Sequence, residues 1–384
     1  MPFAKKKAEI RPLEPDAHKR RRNVRITMTN KSTRISVIGG GIMGTMGAYM
    51  LQQQCPDANI TLYDESGFPN DNASFIAGGM ISPYSELDHM PESYLNSGLS
   101  SVKIWQEISN AHNDCFEFAS NGSLLIAHNA DRHILERFKS ILPNNDDQWQ
   151  SINGQTITEL EPQLNRDKFR EGLYIKGEAH LYPKKAIPAL LHNIKNKKVQ
   201  HIDIKEEKHI ADWVIDCRGM GARNDATNLR GVKGETLIVR NPEFHLTHLL
   251  RLMHPRYPLY IVPRKDNIFL IGATIIETEE NSNTSLRSGM ELMSALYSIH
   301  PSFGDAQIIE TKAGIRPSYP NNMPQIHVSE NVISCNGLFR HGFLFSPIMA
   351  NCAASIVTGQ PYEFNHLFIK DNKENANNLK QQCA

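Results

Sequence analysis

The apolar positions of this chain change their spacing several times, and the earliest change is the most informative. Residues Ile35 to Ile38 form a short β-branched run that leads into Gly39-x-Gly41-x-x-Gly44. An apolar-rich helical segment follows, and a second short run, Ile60 to Tyr63, ends at Asp64. Strand, glycine turn, helix and strand make a complete βαβ unit. Gly39 permits the tight turn, Gly41 lets the backbone approach a pyrophosphate, and Gly44 allows close helix packing. The helix N-terminus offers free N–H groups to phosphates, and Asp64 suits a ribose hydroxyl, so the unit predicts dinucleotide binding.

Beyond the unit the pattern does not repeat. In NDNASFIAGGMISP, small residues and the adjacent Gly78 and Gly79 precede Met80, where a nicotinamide enzyme would continue with further βαβ repeats. The low side-chain bulk predicts a loop lying against a second part of a long cofactor; a plain glycine-rich connection is the alternative. Residues 97–118 and 131–141 have helical spacing, and SLLIAH reads as a strand. Trp213 to Cys217 reads as a buried strand ending near Gly219 and Gly221, of the kind found at the centre of a doubly wound sheet. The runs ETLIVR, LYIVPR and NIFLIGAT predict further strands, with a helix near 287–299.

Composition and charge narrow the class. With 384 residues and 40% hydrophobic content, the chain can bury a core for one large or two interleaved domains. The net charge of +1 hides an asymmetry: the first 33 residues hold ten Lys/Arg against three Asp/Glu, leaving a body of 32 basic and 38 acidic side chains, about −6. Residues 1–32 read as a disordered basic leader with Met28 as a candidate start, and 366–384 as a polar tail. No apolar stretch is long enough to cross a bilayer and no secretory h-region is present, so a soluble, cytoplasmic protein is expected, without membrane partners. An acidic body argues against a nucleic-acid surface. The six cysteines show no C-x-x-C or His-rich ligand spacing, so reduced thiols and no metal site are expected.

The run CNGLFRHGFLFSP, 335–347, sets Arg340 and His341 among glycine, aromatic and aliphatic residues. Burying a guanidinium requires an anion, unless this is a surface turn with Arg340 in water.

Nine blocks carry a resemblance that spans about residues 33 to 365: VIGGGIMG, ASFIAGGMISP, EAHLYPKKA, VIDCRGMGAR, LRGVKGE, HPRYPLYIVPR, LIGATIIE, AGIRPSYPNNMP and NGLFRHGFLFSP. In this order they resemble the flavin-dependent glycine oxidases of the thiamine-biosynthesis type, within the D-amino-acid oxidase superfamily. The resemblance implies an α/β (two-domain α+β) fold. A glutathione-reductase-like FAD-binding domain would be assembled from 33–90, 181–225 and 313–365, and an antiparallel-sheet substrate domain from 91–180 and 226–312. It also implies non-covalent FAD, a homo-oligomer that is commonly a tetramer, a small amino-acid substrate with oxygen, and thiazole synthase as a candidate partner.

Position by position, the resemblance places Ile42 and Met43 with Gly39, Gly41 and Gly44 at the pyrophosphate turn, and Asp64 with Glu65 at the adenosine ribose. Ala73, Ser74, Gly78, Gly79 and Met80 would run along the flavin, and Leu338, Phe339, Arg340, His341, Gly342, Phe343 and Leu344 would cover the rest of its ring. Tyr260, Arg316 and Arg340 would face the substrate. Arg316 would offer a bidentate fork to a carboxylate and Tyr260 a further hydrogen bond, with Arg340 at the flavin edge balanced by the substrate carboxylate or reduced flavin. The less specific readings are a structural salt bridge for Arg316 and a strand-core position for Tyr260. His254 and His341 lie in matching blocks and are expected to be structural. Two departures stand out. The segment 195–213 is shorter than the family's hairpin, leaving Ile204 as a candidate adenine contact, and Tyr182 stands where an aspartate is more usual. Alternatives are a catabolic sarcosine or D-amino-acid oxidase and an FAD-dependent tRNA-modifying relative; covalent flavin is disfavoured because 305–330 contains no cysteine.

Overall fold

Strand β1 (Arg34–Ile38) and strand β2 (Asn59–Asp64) pair in parallel around helix α1 (Ile42–Gln54), with Ile35 opposite Ile60 and Val37 opposite Leu62. All of β1 after Arg34 is buried, as expected for a strand covered on both faces. The computed structural model describes residues 32–69, 72–144 and 147–370. The disorder expected for the leader, and the polar tail from residue 371, therefore lie outside the described residues.

Two glycines make the β1–α1 turn possible. Gly39 has φ +112°, and a Cβ there would run into the Cys217 carbonyl; a Cβ on Gly44 would overlap the Gly39 carbonyl oxygen. Gly44→Ala is therefore expected to push α1 away from the turn and yield protein with little or no bound flavin and a lowered melting temperature. Wild-type flavin occupancy, read from the visible absorbance of the purified variant, would contradict this.

The nucleotide unit sits in a seven-stranded sheet ordered Ile369–Lys370, Gln325–Ser329, Val332–Asn336, Trp213–Asp216, β1, β2, Asn196–Val199. Neighbours are parallel except for the hairpin Gln325–Ser329/Val332–Asn336. Trp213–Asp216 does occupy the sheet centre, beside β1.

A second, eight-stranded sheet is ordered Gln307–Ser318, Arg230–Arg240, Ile268–Gly272, Leu259–Arg264, Leu249–Leu252, Ser123–Ile126, Glu171–Ile175, Trp149–Asn153. It is antiparallel apart from one parallel pair, Leu249–Leu252 with Ser123–Ile126.

Several pairings and contacts cross the expected domain boundaries. Gln307–Ser318 pairs along its length with Arg230–Arg240, so a boundary at 313 falls inside a strand of the second sheet. Helix Leu95–Ala111, expected in the substrate domain, instead covers the apolar helix Gly342–Thr358: Trp105 is fully buried and its Nε1 donates to the Phe343 carbonyl at 2.7 Å. A helix buried over most of its surface needs such a cover, and no sequence-local signal names it. Ile369–Lys370 extends the first sheet past the expected end at 365. Among the described residues no helix is long and apolar enough to cross a membrane.

Candidate active site

The β1–α1 turn opens onto a cleft of about 860 Å³ that continues to the face of the second sheet. At its nucleotide end, Asp64 accepts the Gly40 N–H at 2.5 Å through Oδ2 and the Ser66 N–H at 2.8 Å through Oδ1, so the acid at the end of β2 also braces the glycine turn. Ser74 Oγ accepts the Ile42 N–H at 3.0 Å, placing a hydroxyl at the helix N-terminus. Glu65 meets His201 Nδ1 at 2.6 Å. Arg218, unassigned from sequence, is held by Asp216 at 2.9 Å and Asp225 at 2.8 Å beside the same cleft.

Gly39, Gly41, Ile42, Met43, Asp64, Glu65, Ala73 and Ser74 all line the cleft. Gly44 does not; its part is packing. Ile204 is likewise not a lining residue. It sits in the short helix Ile204–Glu207 and packs on the cluster of Ile38, Ile202 and Val214, while Gln200, His201 and Ile202 reach the cleft.

Along the middle, Gly78, Gly79 and Met80 line the wall. Gly79 has φ +67° and abuts the Leu181 carbonyl, where a Cβ would collide. The Gly78 carbonyl accepts from Arg264 Nη2 at 2.5 Å, and the Arg264 guanidinium stands 5.1 Å from the Tyr182 ring centroid. Burial brings the Arg264 pKa down to about 10. The aromatic at 182 thus gives this arginine a π-face.

Opposite lies the turn Leu338–His341. Phe339 takes φ 45°, and its N–H donates to the Pro317 carbonyl at 2.8 Å, tying this turn to the strand that carries Arg316. Leu338, Phe339, Arg340, Gly342 and Phe343 line the cleft, but His341 and Leu344, 1% and 2% exposed, point inward. Five of the seven residues from Leu338 to Leu344 thus line the cleft. The turn and the start of helix Gly342–Thr358 send His341 and Leu344 into the core, which a run of one-letter codes does not reveal.

Tyr260, Arg316 and Arg340 meet at the far end. Tyr260 projects from strand Leu259–Arg264 into space left by Gly78 and Gly272; burial raises its pKa, and no group among the described residues hydrogen-bonds its hydroxyl. The Arg316 guanidinium fills the space over Gly234, lies 6.0 Å from the Phe339 ring centroid, and donates through Nη1 to the Thr274 carbonyl at 3.1 Å. No carboxylate among the described residues pairs with it, and burial depresses its pKa.

Arg340 differs. Its Nη2 is 2.9 Å from Glu86 Oε1, and His341 Nε2 is 3.2 Å from Glu86 Oε2. The anion that answers Arg340 is therefore a side chain of this chain, which the sequence reading did not include. Burial by itself would raise the Glu86 pKa; Arg340, with His341 and Arg251, reverses this and holds the carboxyl well below the usual carboxylate range. Burial opposes the charge on Arg340 too, and Glu86 outweighs it, raising its pKa. Arg251 adds a second pair, with Asp88 at 2.6 Å. His89 also lines the cleft, its pKa lowered by burial and then by Arg340. The missed acids lie in SELDH, directly after the glycine loop, where charged residues interrupt a small and apolar stretch.

A glycine turn on a βαβ unit, a long cleft and a second sheet bearing cationic side chains at its far end define a dinucleotide-dependent oxidoreductase of two layers. The chain belongs to the FAD dependent oxidoreductase family: the family's model matches residues 34–356. It is 36% identical over 333 residues to a putative thiamine biosynthesis oxidoreductase (ThiO) of Rhizobium etli, covering 85% of this chain and 98% of that one. It is 24% identical over 374 residues to a glycine oxidase of Bacillus licheniformis, covering 88% and 97%. Its fold is that of the crystal structure of glycine oxidase from Geobacillus kaustophilus, with TM-score 0.75, 21% identity and coverage of 86% and 96%.

FAD is thus the cofactor, and the residues fit it. Gly41 leaves the turn open on the cleft side, where a Cβ would sit 3.2 Å from Ser74 Oγ, and the helix start supplies N–H donors for the pyrophosphate. Among the described residues, the cysteines lining the cleft are Cys217 and Cys335, both buried. Acid or heat denaturation is expected to release FAD intact; flavin remaining with the precipitated polypeptide would contradict non-covalent binding.

Proposed function

We propose that this enzyme oxidises the amine of glycine to the imine, with oxygen as electron acceptor and hydrogen peroxide as co-product. The observation that carries this reading is Arg316: a largely enclosed guanidinium at the cleft wall whose hydrogen-bond acceptor among the described residues is the Thr274 carbonyl, with Tyr260 lining the same cleft. A charge in that setting calls for an anionic, hydrogen-bonding ligand, and a carboxylate matches its planar fork. Bound FAD supplies the two-electron acceptor.

The chain's own contribution is positional. Arg316 takes the carboxylate through two parallel N–H donors, and Tyr260 donates a third hydrogen bond through its hydroxyl. Phe339, its ring centroid 6.0 Å from the Arg316 guanidinium, bounds the same end of the cleft and limits water there. His89, neutral at pH 7 because its pKa is lowered, adds no third positive charge beside the two arginines. Two electrons and two protons leave glycine and reduce oxygen to peroxide; the imine then hydrolyses to glyoxylate and ammonia or passes to thiazole assembly. The thiamine-biosynthesis name of the Rhizobium relative supports the second fate, and thiazole synthase is the receiving partner that this reading calls for.

A panel of glycine, sarcosine, D-alanine and D-proline, scored by peroxide release and by anaerobic bleaching of the flavin, tests the reading. Glycine is expected to be turned over. If none of the four bleaches the flavin, the amino-acid oxidase reading fails.

A further inference from the structure

Two of the cleft's arginines, Arg251 and Arg340, pair with acids that belong to one short loop. Arg251 pairs with Asp88 and also donates to the Ser85 carbonyl, while Arg340 pairs with Glu86. The loop is pinned from behind: buried Glu178 accepts the Ser85 N–H at 2.7 Å and the Ser85 hydroxyl at 2.6 Å. Glu86, 6% exposed, thus cannot swing toward water, and His341, 1% exposed, sits against its second oxygen. Of the arginines that line the cleft, Arg316, on the facing strand, is the one left without a carboxylate among the described residues.

We propose that Glu86 sets the charge selectivity of the substrate end: as the permanent counter-ion of Arg340, it leaves Arg316 to receive one substrate carboxylate and withholds a second anion site from dicarboxylic amino acids. This rests on the Arg316 reading above and extends it to the substrate class. A second carboxylate approaching Arg340 meets a guanidinium already hydrogen-bonded and a fixed negative charge directly behind it. Discrimination then comes from the withheld attraction as much as from cleft size. Glu86 touches no substrate in this scheme; it acts through Arg340 and is a positioning residue.

The test compares D-aspartate with glycine on the holoenzyme. In Glu86→Gln the amide can still accept from Arg340 while the charge is gone, so the ratio of kcat/KM for D-aspartate to that for glycine is expected to rise by about tenfold or more, the scale of one charge-assisted pair. Adding Arg340→Met to that variant should return the ratio to the wild-type level. An unchanged ratio in flavin-loaded Glu86→Gln would overturn the proposal. A wild-type measurement keeps the question open to refutation even if the variant does not fold. Acetate and malonate are expected to compete with glycine within about threefold of each other, whereas malonate binding roughly tenfold more tightly would show Arg340 free for a second carboxylate. The two failures read differently. Loss of the selectivity effect with glycine oxidation intact removes only the role of Glu86, while a wild type that glycine does not reduce removes the functional reading beneath it.

Discussion

Replacing Arg316 by alanine is expected to raise the Michaelis constant for glycine by roughly ten- to a hundredfold or more while FAD stays bound, since a charge-assisted pair contributes about 1.5–3 kcal/mol. Retention of FAD follows from the geometry: among the described residues Arg316 donates to the Thr274 carbonyl alone and packs over Gly234, in the second sheet, away from the β1–α1 turn. Stopped-flow reduction by glycine without oxygen separates binding from electron transfer. The dissociation constant should carry the loss. Wild-type affinity in the variant would sink the carboxylate assignment and with it the amino-acid oxidase reading.

Arg340→Ala should behave differently, and chiefly in stability. Removing the guanidinium leaves Glu86 buried with His341 as its remaining neighbour at 3.2 Å, a loss of the kind that costs about 3–5 kcal/mol when a buried pair is broken from one side. The pH dependence carries the signature. In the wild type the Glu86 pKa is depressed on folding, so its contribution is present above the ordinary carboxylate range and is lost as pH falls below it. Without Arg340, burial dominates, the folded-state pKa rises above the unfolded value, and stability falls as pH rises through the window between them. The gap in melting temperature between wild type and variant should therefore narrow between about pH 7.5 and pH 5. Glu86→Gln combined with Arg340→Ala should recover much of the loss. A gap that does not change with pH would show that Glu86 is not the source of the penalty.

The contrast between these two arginines marks how far the sequence could be read. Local rules were enough for the βαβ unit: β-branched spacing, three glycines and a terminal acid specify strand, turn and helix within 31 residues from Arg34 to Asp64, because each requirement is met by neighbours in the chain. The buried strand at Trp213–Asp216 and the strands flanking Tyr260 were legible for the same reason. Motif blocks also singled out Tyr260, Arg316 and Arg340, which the fold brings to one end of one cleft. Sequence alone could say that a buried Arg340 needs an anion.

Which anion it is depends on a contact spanning 254 residues, from Glu86 to Arg340, and only the tertiary structure decides it. The same holds for helix Leu95–Ala111, whose buried residues mix Leu95, Trp105 and Ile108 with serines and a glycine and name no layer, and for the strand Gln307–Ser318, whose pairing with Arg230–Arg240 carries residue 313 into the second sheet. It holds as well for His341 and Leu344, turned inward by a tight turn at Phe339. Spacing along the chain encodes the energetics of neighbours a few residues apart, where helix and strand periods repeat. Ion pairing and layer assignment are settled by which distant surfaces exclude water together, and no local period records that choice.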